Sequence, residues 1–256
     1  MSRLHVETVG QGPDLVLLHG WGMHGGVWSP VVPELTQAFR LHIVDLPGLG
    51  LSEPCEPYTL DALVDRIAEA VPASAIVCGW SLGGLVAMQW AKRLPQQVRQ
   101  LVLVGATPRF VSGEDWDNGI EPEVFRQFAA QVGADYRGTL SRFLALQAHG
   151  GDAAKDTIRQ LRERFFERPG GSPETLQAGL DLLLQSDLRQ EVAQLNTPTL
   201  VLHGDYDKLA PVAAAQWMAE QGPQGVRVEI CKGASHAPFL SHPSWFVGQL
   251  KDGLGD

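Results

Sequence analysis

Ser81, Asp207 and His236 are the residues whose types and settings are suited to acyl transfer. Ser81 is the centre of Gly79-Trp80-Ser81-Leu82-Gly83. The apolar run Ala75-Ile76-Val77-Cys78 leads into this pentapeptide, and the helix-like run Leu85-Val86-Ala87-Met88-Gln89-Trp90-Ala91 leads out. That is the strand–turn–helix setting of a G-x-S-x-G nucleophile elbow. A serine hydroxyl is a poor nucleophile at neutral pH and needs a base, which in turn needs an orienting acid. His236, in Gly233-Ala234-Ser235-His236-Ala237-Pro238-Phe239, is the expected base. Asp207, in His203-Gly204-Asp205-Tyr206-Asp207, is the preferred acid, with Asp205 as its competitor two residues earlier. The order serine, acid, histidine is the one such an elbow requires.

The neighbouring residues sharpen this chemistry. A turn this tight leaves almost no room for a Cβ two positions before or after the serine, and Gly79 and Gly83 supply that room. The tetrahedral oxyanion needs donors aimed at it. The backbone N–H of Leu82 should be one, and that of Trp21, in His19-Gly20-Trp21-Gly22, the other. The indole of Trp21 either walls the acyl pocket or packs in the core. His19 is expected to hold its loop through backbone hydrogen bonds. His236 and His242 are separated by Pro238 and lack an acidic ligand nearby, so a metal pair is not expected. The chemistry needs no cofactor and no metal.

The elements that must position these residues alternate short apolar runs with amphipathic stretches, the rhythm of a mostly parallel sheet with crossover helices. Strands are expected at Asp14–Leu18, Leu41–Asp45, Ala75–Cys78, Leu101–Val104, Thr199–His203 and Val226–Ile230, with an edge strand at Leu4–Val9. Ser81, Asp207 and His236 then follow three different strands at one sheet edge, where open α/β sheets hold their ligands. Between Val104 and Thr199 lie roughly ninety residues without a good strand signal, too many for a structureless loop. Amphipathic stretches at Pro122–Val132, Tyr136–Gln147, Asp152–Phe166 and from Ser172 to Leu184 predict a helical cap. The expected division is a core of residues 1–108 and 190–256 with residues 109–189 inserted as the cap. Gly105, Gly150-Gly151 and Gly170-Gly171 are candidate flexible points or ordinary turns.

Bulk composition narrows the class without naming an activity. A chain of 256 residues with 44% hydrophobic and 19% charged residues has enough apolar material for one large α/β domain. A net charge of -9 argues against nucleic-acid and anionic-membrane partners. No apolar run approaches the ~18 residues of a spanning helix, and Met1-Ser2-Arg3-Leu4-His5-Val6-Glu7 lacks the apolar region of a secretion signal. Cys55, Cys78 and Cys231 are widely spaced, which fits a reducing cytoplasm better than a disulfide framework or zinc site. A cytoplasmic monomer is the expectation.

The motifs HGWG, DLPGLGLS at Asp45–Ser52, GWSLGG, GDYDKLAP and GASHAPF resemble the α/β-hydrolase superfamily. The resemblance is closer to one family within it. Leu17–Gly22, Val44–Gly48, Gly79–Val86, Arg142–Gln147 and Ala234–Pro243 are similar to the pimeloyl-[acyl-carrier protein] methyl ester esterases of bacterial biotin synthesis. It runs from about Val9 to Trp245 and includes the cap segment RFLALQ. The resemblance implies a serine carboxylesterase acting on a methyl ester at the end of a seven-carbon chain borne by acyl carrier protein. It implies Ser81, Asp207 and His236 as the triad and Trp21 and Leu82 as ester contacts. It further implies acyl contacts at Phe143, Leu144, Ala145, Leu146 and Gln147. From the residues alone, Phe143, Leu144 and Leu146 fit an apolar channel and a cap core equally. Arg142, Lys155, Arg159 and Arg162 form a basic set on an acidic protein, suited to docking an acidic carrier or to an ordinary solvated face. Two other readings share the triad: a carboxylesterase, lactonase or carbon–carbon hydrolase of free small molecules, and a ligand sensor that retains the scaffold.

Overall fold

The computed structural model describes residues 3–132, 135–222 and 225–254. Met1 and Ser2, part of the stretch read above for a secretion signal, lie outside the described residues. The strands are β1 (Val6–Gly10), β2 (Asp14–Leu18), β3 (Arg40–Val44), β4 (Ala75–Trp80), β5 (Val98–Val104), β6 (Thr199–Gly204) and β7 (Val226–Cys231). The helices of the first half are α1 (Val32–Leu35), α2 (Leu60–Ala68) and α3 (Leu82–Arg93). Between β5 and β6 come α4 (Pro122–Val132), α5 (Tyr136–Gln147), α6 (Ala154–Phe165), α7 (Pro173–Gln185) and α8 (Arg189–Ala193). The second half closes with α9 (Val212–Gln221), α10 (Pro238–Ser241) and α11 (Pro243–Gly253).

Among the described residues the strands form one sheet in the order β1-β3-β2-β4-β5-β6-β7, antiparallel only where β1 meets β3. Parallel strands covered on both faces should be apolar throughout rather than alternating. Leu15–Leu18, Leu101–Val104 and all six residues of β4 are indeed buried. Helix α3 is buried on nearly every side, so its sequence reads as apolar all round rather than as one stripe. Helix α2, by contrast, buries Leu60, Leu63, Val64 and Ile67 and starts at Thr59, whose hydroxyl accepts from the Ala62 N–H.

The register aligns the strand ends that matter. Gly79 pairs with Leu18 on one side and Leu103 on the other, Trp80 with Val104, and Val104 with Leu202. The loops that follow β2, β4, β5, β6 and β7 therefore open at a single edge.

The expected helices between β5 and β6 are present, and their starts follow from local chemistry. Ser172 caps α7 by accepting from the Thr175 N–H, with Pro173 at the first helical position. Asp135 caps α5 by accepting from the Gly138 N–H. Helix α6 buries Thr157, Leu161 and Phe165, one stripe at helical spacing, and leaves its other face to solvent. No helix among the described residues is long and apolar enough to cross a membrane. The three cysteines are free thiols.

Candidate active site

The turn at Ser81 is built by glycines whose missing side chains are filled by backbone. A Cβ on Gly79 would lie 2.2 Å from the Gly83 carbonyl oxygen, and one on Gly83 would lie 2.5 Å from that of Leu18. Gly84 is pressed against the Ala106 methyl, at 2.4 Å from where its own Cβ would sit. These contacts draw α3 onto the ends of β2 and β4 so closely that Ser81 is forced to φ 56°, ψ −118°. Positive φ is a strained conformation for a residue with a side chain, and it persists because the surroundings over-determine it. Ser81 is buried, and its own N–H donates to the Val104 carbonyl.

The structure brings His236 and Asp207 together. The ring nitrogen Nδ1 of His236 lies 2.8 Å from Asp207 Oδ2, while Asp207 Oδ1 accepts from the backbone N–H groups of Leu209 and Ala210, both at 2.9 Å. Both carboxylate oxygens are thus held, one by the imidazole and one by its own loop. Burial opposes ionisation of Asp207. The charges of His236 and His203, the His236 hydrogen bond and the Ala210 N–H outweigh it and hold the carboxyl below the usual carboxylate range. Asp205 is placed differently: its Oδ1 accepts from the Gly233 N–H at 2.8 Å, so it ties the β6 loop to the histidine loop and does not meet the ring. The other ring nitrogen, His236 Nε2, is buried without a hydrogen-bond partner. A buried imidazole nitrogen without a partner is unusual, and here it is the atom that would exchange a proton with a serine nucleophile.

The loop after β2 lies beside Ser81. A Cβ on Gly20 would come within 3.1 Å of the Ser81 Cβ. His19 holds this loop as expected: its Nδ1 lies 2.8 Å from the Gly20 carbonyl, and its Nε2 accepts from the Leu46 N–H at 2.9 Å. Burial pushes its pKa down to about 4, so the ring is neutral and can both donate and accept. Leu82, at the first position of α3, has an N–H with no partner inside the helix, as helix starts always do. The Trp21 indole is buried, donates from Nε1 to the Leu176 carbonyl at 2.8 Å, and meets Phe143 edge-on with ring centroids 4.8 Å apart. It is at once packed and the contact surface between the sheet edge and the inserted helices.

Within α5, Phe143, Leu144 and Gln147 are buried, Leu146 is half-buried and Ala145 is exposed. Phe143 also meets Phe128 of α4 at 5.3 Å, and a groove of about 180 Å³ lined by Val124, Gln127, Phe128, Gln131 and Arg142 lies beside that pair. The Gln147 carbonyl accepts from the His236 N–H at 3.0 Å, and its side-chain Oε1 is buried without a partner. Arg142 donates to the Gln131 side chain at 2.6 Å, and Arg159 bonds Glu163 at 3.1 Å and Asp156 at 3.4 Å. Lys155, Arg159 and Arg162 are exposed together on the solvent side of α6. The basic set is therefore partly neutralised by its own acidic neighbours. No cluster of three metal-binding side chains occurs among the described residues.

Several contributors are not evident from sequence. Gly105, at φ 48°, is a turn that also makes room for the acid–base pair. A Cβ there would lie 2.7 Å from the His236 carbonyl and 3.2 Å from Asp207 Oδ2. The sequence marked it only as a candidate turn or flexible point; its position one residue past the Val104–Trp80 pair is what ties it to the site. Asp45, fully buried, accepts from the Gly25 and Leu51 N–H groups and pairs with Arg168 of the inserted region at 2.8 Å. His24 meets the Arg164 carbonyl of α6 through Nε2 at 2.6 Å. The ties to Arg168 and to the Arg164 carbonyl cross more than a hundred positions of sequence, which no local pattern encodes.

Comparison with known proteins places the fold and the family. A family model described as the alpha/beta hydrolase fold matches residues 13–243. A protein of Nitrosomonas europaea named pimeloyl-[acyl-carrier protein] methyl ester esterase is 46% identical over 247 residues, covering 96% of this chain and 98% of that protein. One of the same name from Xanthomonas axonopodis pv. citri is 47% identical over 240 residues, covering 93% of this chain and 94% of that protein. Among solved structures, an esterase of Exiguobacterium antarcticum superposes with a TM-score of 0.90 at 22% identity, covering 100% of this chain and 96% of that one. An enol-lactonase of Burkholderia xenovorans does so with 0.87 at 24%, covering 100% and 97%. These two share the fold across different reactions, so the fold alone does not select a substrate. By its matches along nearly the whole sequence, the chain belongs to the α/β-hydrolase fold family and, within it, to the pimeloyl-[acyl-carrier protein] methyl ester esterases.

Proposed function

We propose that this chain hydrolyses the methyl ester of a pimeloyl group carried on acyl carrier protein, releasing methanol, through an acyl-enzyme on Ser81. The observation that carries the reading is identity of 46–47% spread over 93–96% of the chain, inserted helices included, to esterases named for that substrate. His236 Nε2 takes the Ser81 proton as Oγ attacks the ester carbonyl carbon. The N–H groups of Leu82 and Trp21 receive the negative charge on the carbonyl oxygen. The tetrahedral species collapses, the carbon–methoxy bond breaks, and His236 returns the proton to give methanol. Water, deprotonated by His236, then attacks the acyl-enzyme and releases the free carboxylate with Ser81 restored. Asp207 holds the imidazole in the tautomer and orientation that both proton transfers need.

In this reading residues 109–189 are a cap on a core formed by 1–108 and 190–256. Phe128, Phe143 and Trp21 form an aromatic file that leads from the α4–α5 groove to the loop beside Ser81. Such a file suits a methylene chain, and Gln147 with its unpartnered Oε1 offers a polar stop. Arg142, Lys155, Arg159 and Arg162 face an acidic carrier in the cytoplasm. The test is kinetic: methyl pimeloyl-carrier protein against the free dimethyl ester. A kcat/KM at least tenfold higher for the carrier-bound ester is expected. Equal values would favour an esterase of free small molecules.

A further inference from the structure

We propose that Trp80 is a positioning residue that sets the catalytic base against both the nucleophile and the oxyanion loop through one indole ring. The inference rests on the assignment of His236 as the base. Trp80 is the last residue of β4 and the immediate neighbour of Ser81, and its side chain is fully buried. Its Nε1–H donates to the main-chain carbonyl of His236 at 2.9 Å, across 156 positions of sequence. The six-membered ring lies against Gly20, where a Cβ would come within 3.1 Å of it. The Trp80 side chain also stands 5.8 Å from the His236 imidazole and meets Phe239, three residues further on, edge-to-face at 5.0 Å.

The need for such a contact follows from where His236 sits. It lies in no helix or strand, between Gly233 at φ 81° and the first residue of α10. Regular structure therefore does not fix its main chain. Asp207 controls the ring through Nδ1, but the position of the ring's pivot depends on the two peptide groups that flank it. The N–H on one side donates to the Gln147 carbonyl of α5, and the C=O on the other accepts from Trp80. The pivot is held between the inserted helices and the strand that carries the nucleophile. Of these two ties, only Trp80 is made by a side chain, so substitution can cut it.

A displaced base has a chemical signature. Methoxide leaves poorly unless protonated, whereas p-nitrophenolate leaves without a proton. Losing the pivot should therefore impair methyl ester cleavage more than p-nitrophenyl ester cleavage. The experiment compares wild type, Trp80→Phe and His236→Ala on a methyl ester and a p-nitrophenyl ester of the same acyl chain, each normalised by active-site titration of Ser81. Trp80→Phe keeps one aromatic ring and removes the donor together with the rest of the indole. It is expected to lower kcat for the methyl ester about thirtyfold and for the p-nitrophenyl ester about threefold, with KM within about twofold. Equal losses on the two esters, or no loss, would overturn the inference. Near wild-type turnover by His236→Ala would instead remove the assignment of the base on which it rests. If Trp80→Phe does not fold, a benzothienyl analogue of tryptophan at position 80 keeps the bicyclic shape without the N–H. The same ratio of losses then decides.

Discussion

The elbow at Ser81 and the helices between β5 and β6 are held in place by different physics. At the elbow, backbone meets backbone: the sites where Gly79 and Gly83 would carry side chains are occupied by carbonyl oxygens, and Trp80, Ser81 and Leu82 are buried. The inserted helices share one apolar core with the sheet, Phe143 against Trp21 among its contacts, and add single polar ties to the sheet edge. Asp45 pairs with Arg168, His24 meets the Arg164 carbonyl, and Trp21 donates to the Leu176 carbonyl. Close packing tolerates no change of volume, whereas point contacts can be lost one at a time. On the proposed reading, the residues that do the chemistry sit where backbone packs on backbone, and the helices beside the substrate add polar ties that substitution can cut one at a time.

The sharpest way to break that contrast is at the nucleophile. Ser81→Ala should lower kcat by about 10⁴-fold or more while leaving circular dichroism and the unfolding midpoint unchanged; appreciable residual turnover would place the chemistry elsewhere. Next in size is Gly83→Ala, whose Cβ has no space between the Leu18 and His19 carbonyls. It should destabilise the fold by about 3 kcal/mol in urea and depress activity with it. Arg168→Ala tests the polar fastening. It leaves the buried Asp45 carboxylate short of a charged partner and should reduce stability by about 2 kcal/mol, with a raised KM for the carrier-bound ester and little change in kcat. A fall in kcat alone would mean that the inserted helices position the triad more than the substrate. The smallest effect is expected at Arg159→Ala: no shift of the unfolding midpoint, since its pairs are solvent-exposed, and a few-fold rise in KM confined to the carrier-bound substrate.

Acid should separate the two regions in another way. Burial lowers the pKa of His19 to about 4, and those of His24 and His203 are lowered by the same cause. Below about pH 6.5 the unfolded chain takes up protons at these residues that the folded chain refuses. The unfolded state then binds more protons, so stability falls as pH drops from 6.5 towards 4. For His19 alone the shift is about 3 kcal/mol. Asp45 and Asp207, whose carboxyls are held below their ordinary range, extend the loss below about pH 4. Urea midpoints measured from pH 7 to 4 should decline steadily, and a flat profile would contradict the burial argument. Since His19 and Asp45 both lie at the junction of sheet edge and inserted helices, proteolysis of the inserted helices should increase over the same range.

How much of this was legible in the sequence depended on how local the cause was. The expected strands and the four amphipathic stretches are present because each rests on neighbouring residues: apolar runs, Ser172-Pro173 at a helix start, Thr59 at another. The glycines around Ser81 were readable for the same reason. Asp207 was already preferred over Asp205, but two acids so close along a loop can be told apart by their contacts only once the loop is folded. The fold gives Asp207 the imidazole and Asp205 the Gly233 N–H. The basic set was visible as charges, but its partial neutralisation by Asp156 and Glu163 emerges only when α6 is wound and those side chains become neighbours.

What the sequence offered by itself was a candidate chemistry: a serine in a turn that glycines must frame, followed in order by an acid and a histidine after later strands. Short-range sterics and the rhythm of a parallel sheet are enough for that. The tertiary structure alone decided how the base is held. The Trp80 indole, the Gln147 carbonyl and the space left by Gly105 reach His236 from three distant parts of the chain. They meet there because parallel strands in register bring their ends to one edge, and contacts made across that edge leave no trace in local sequence.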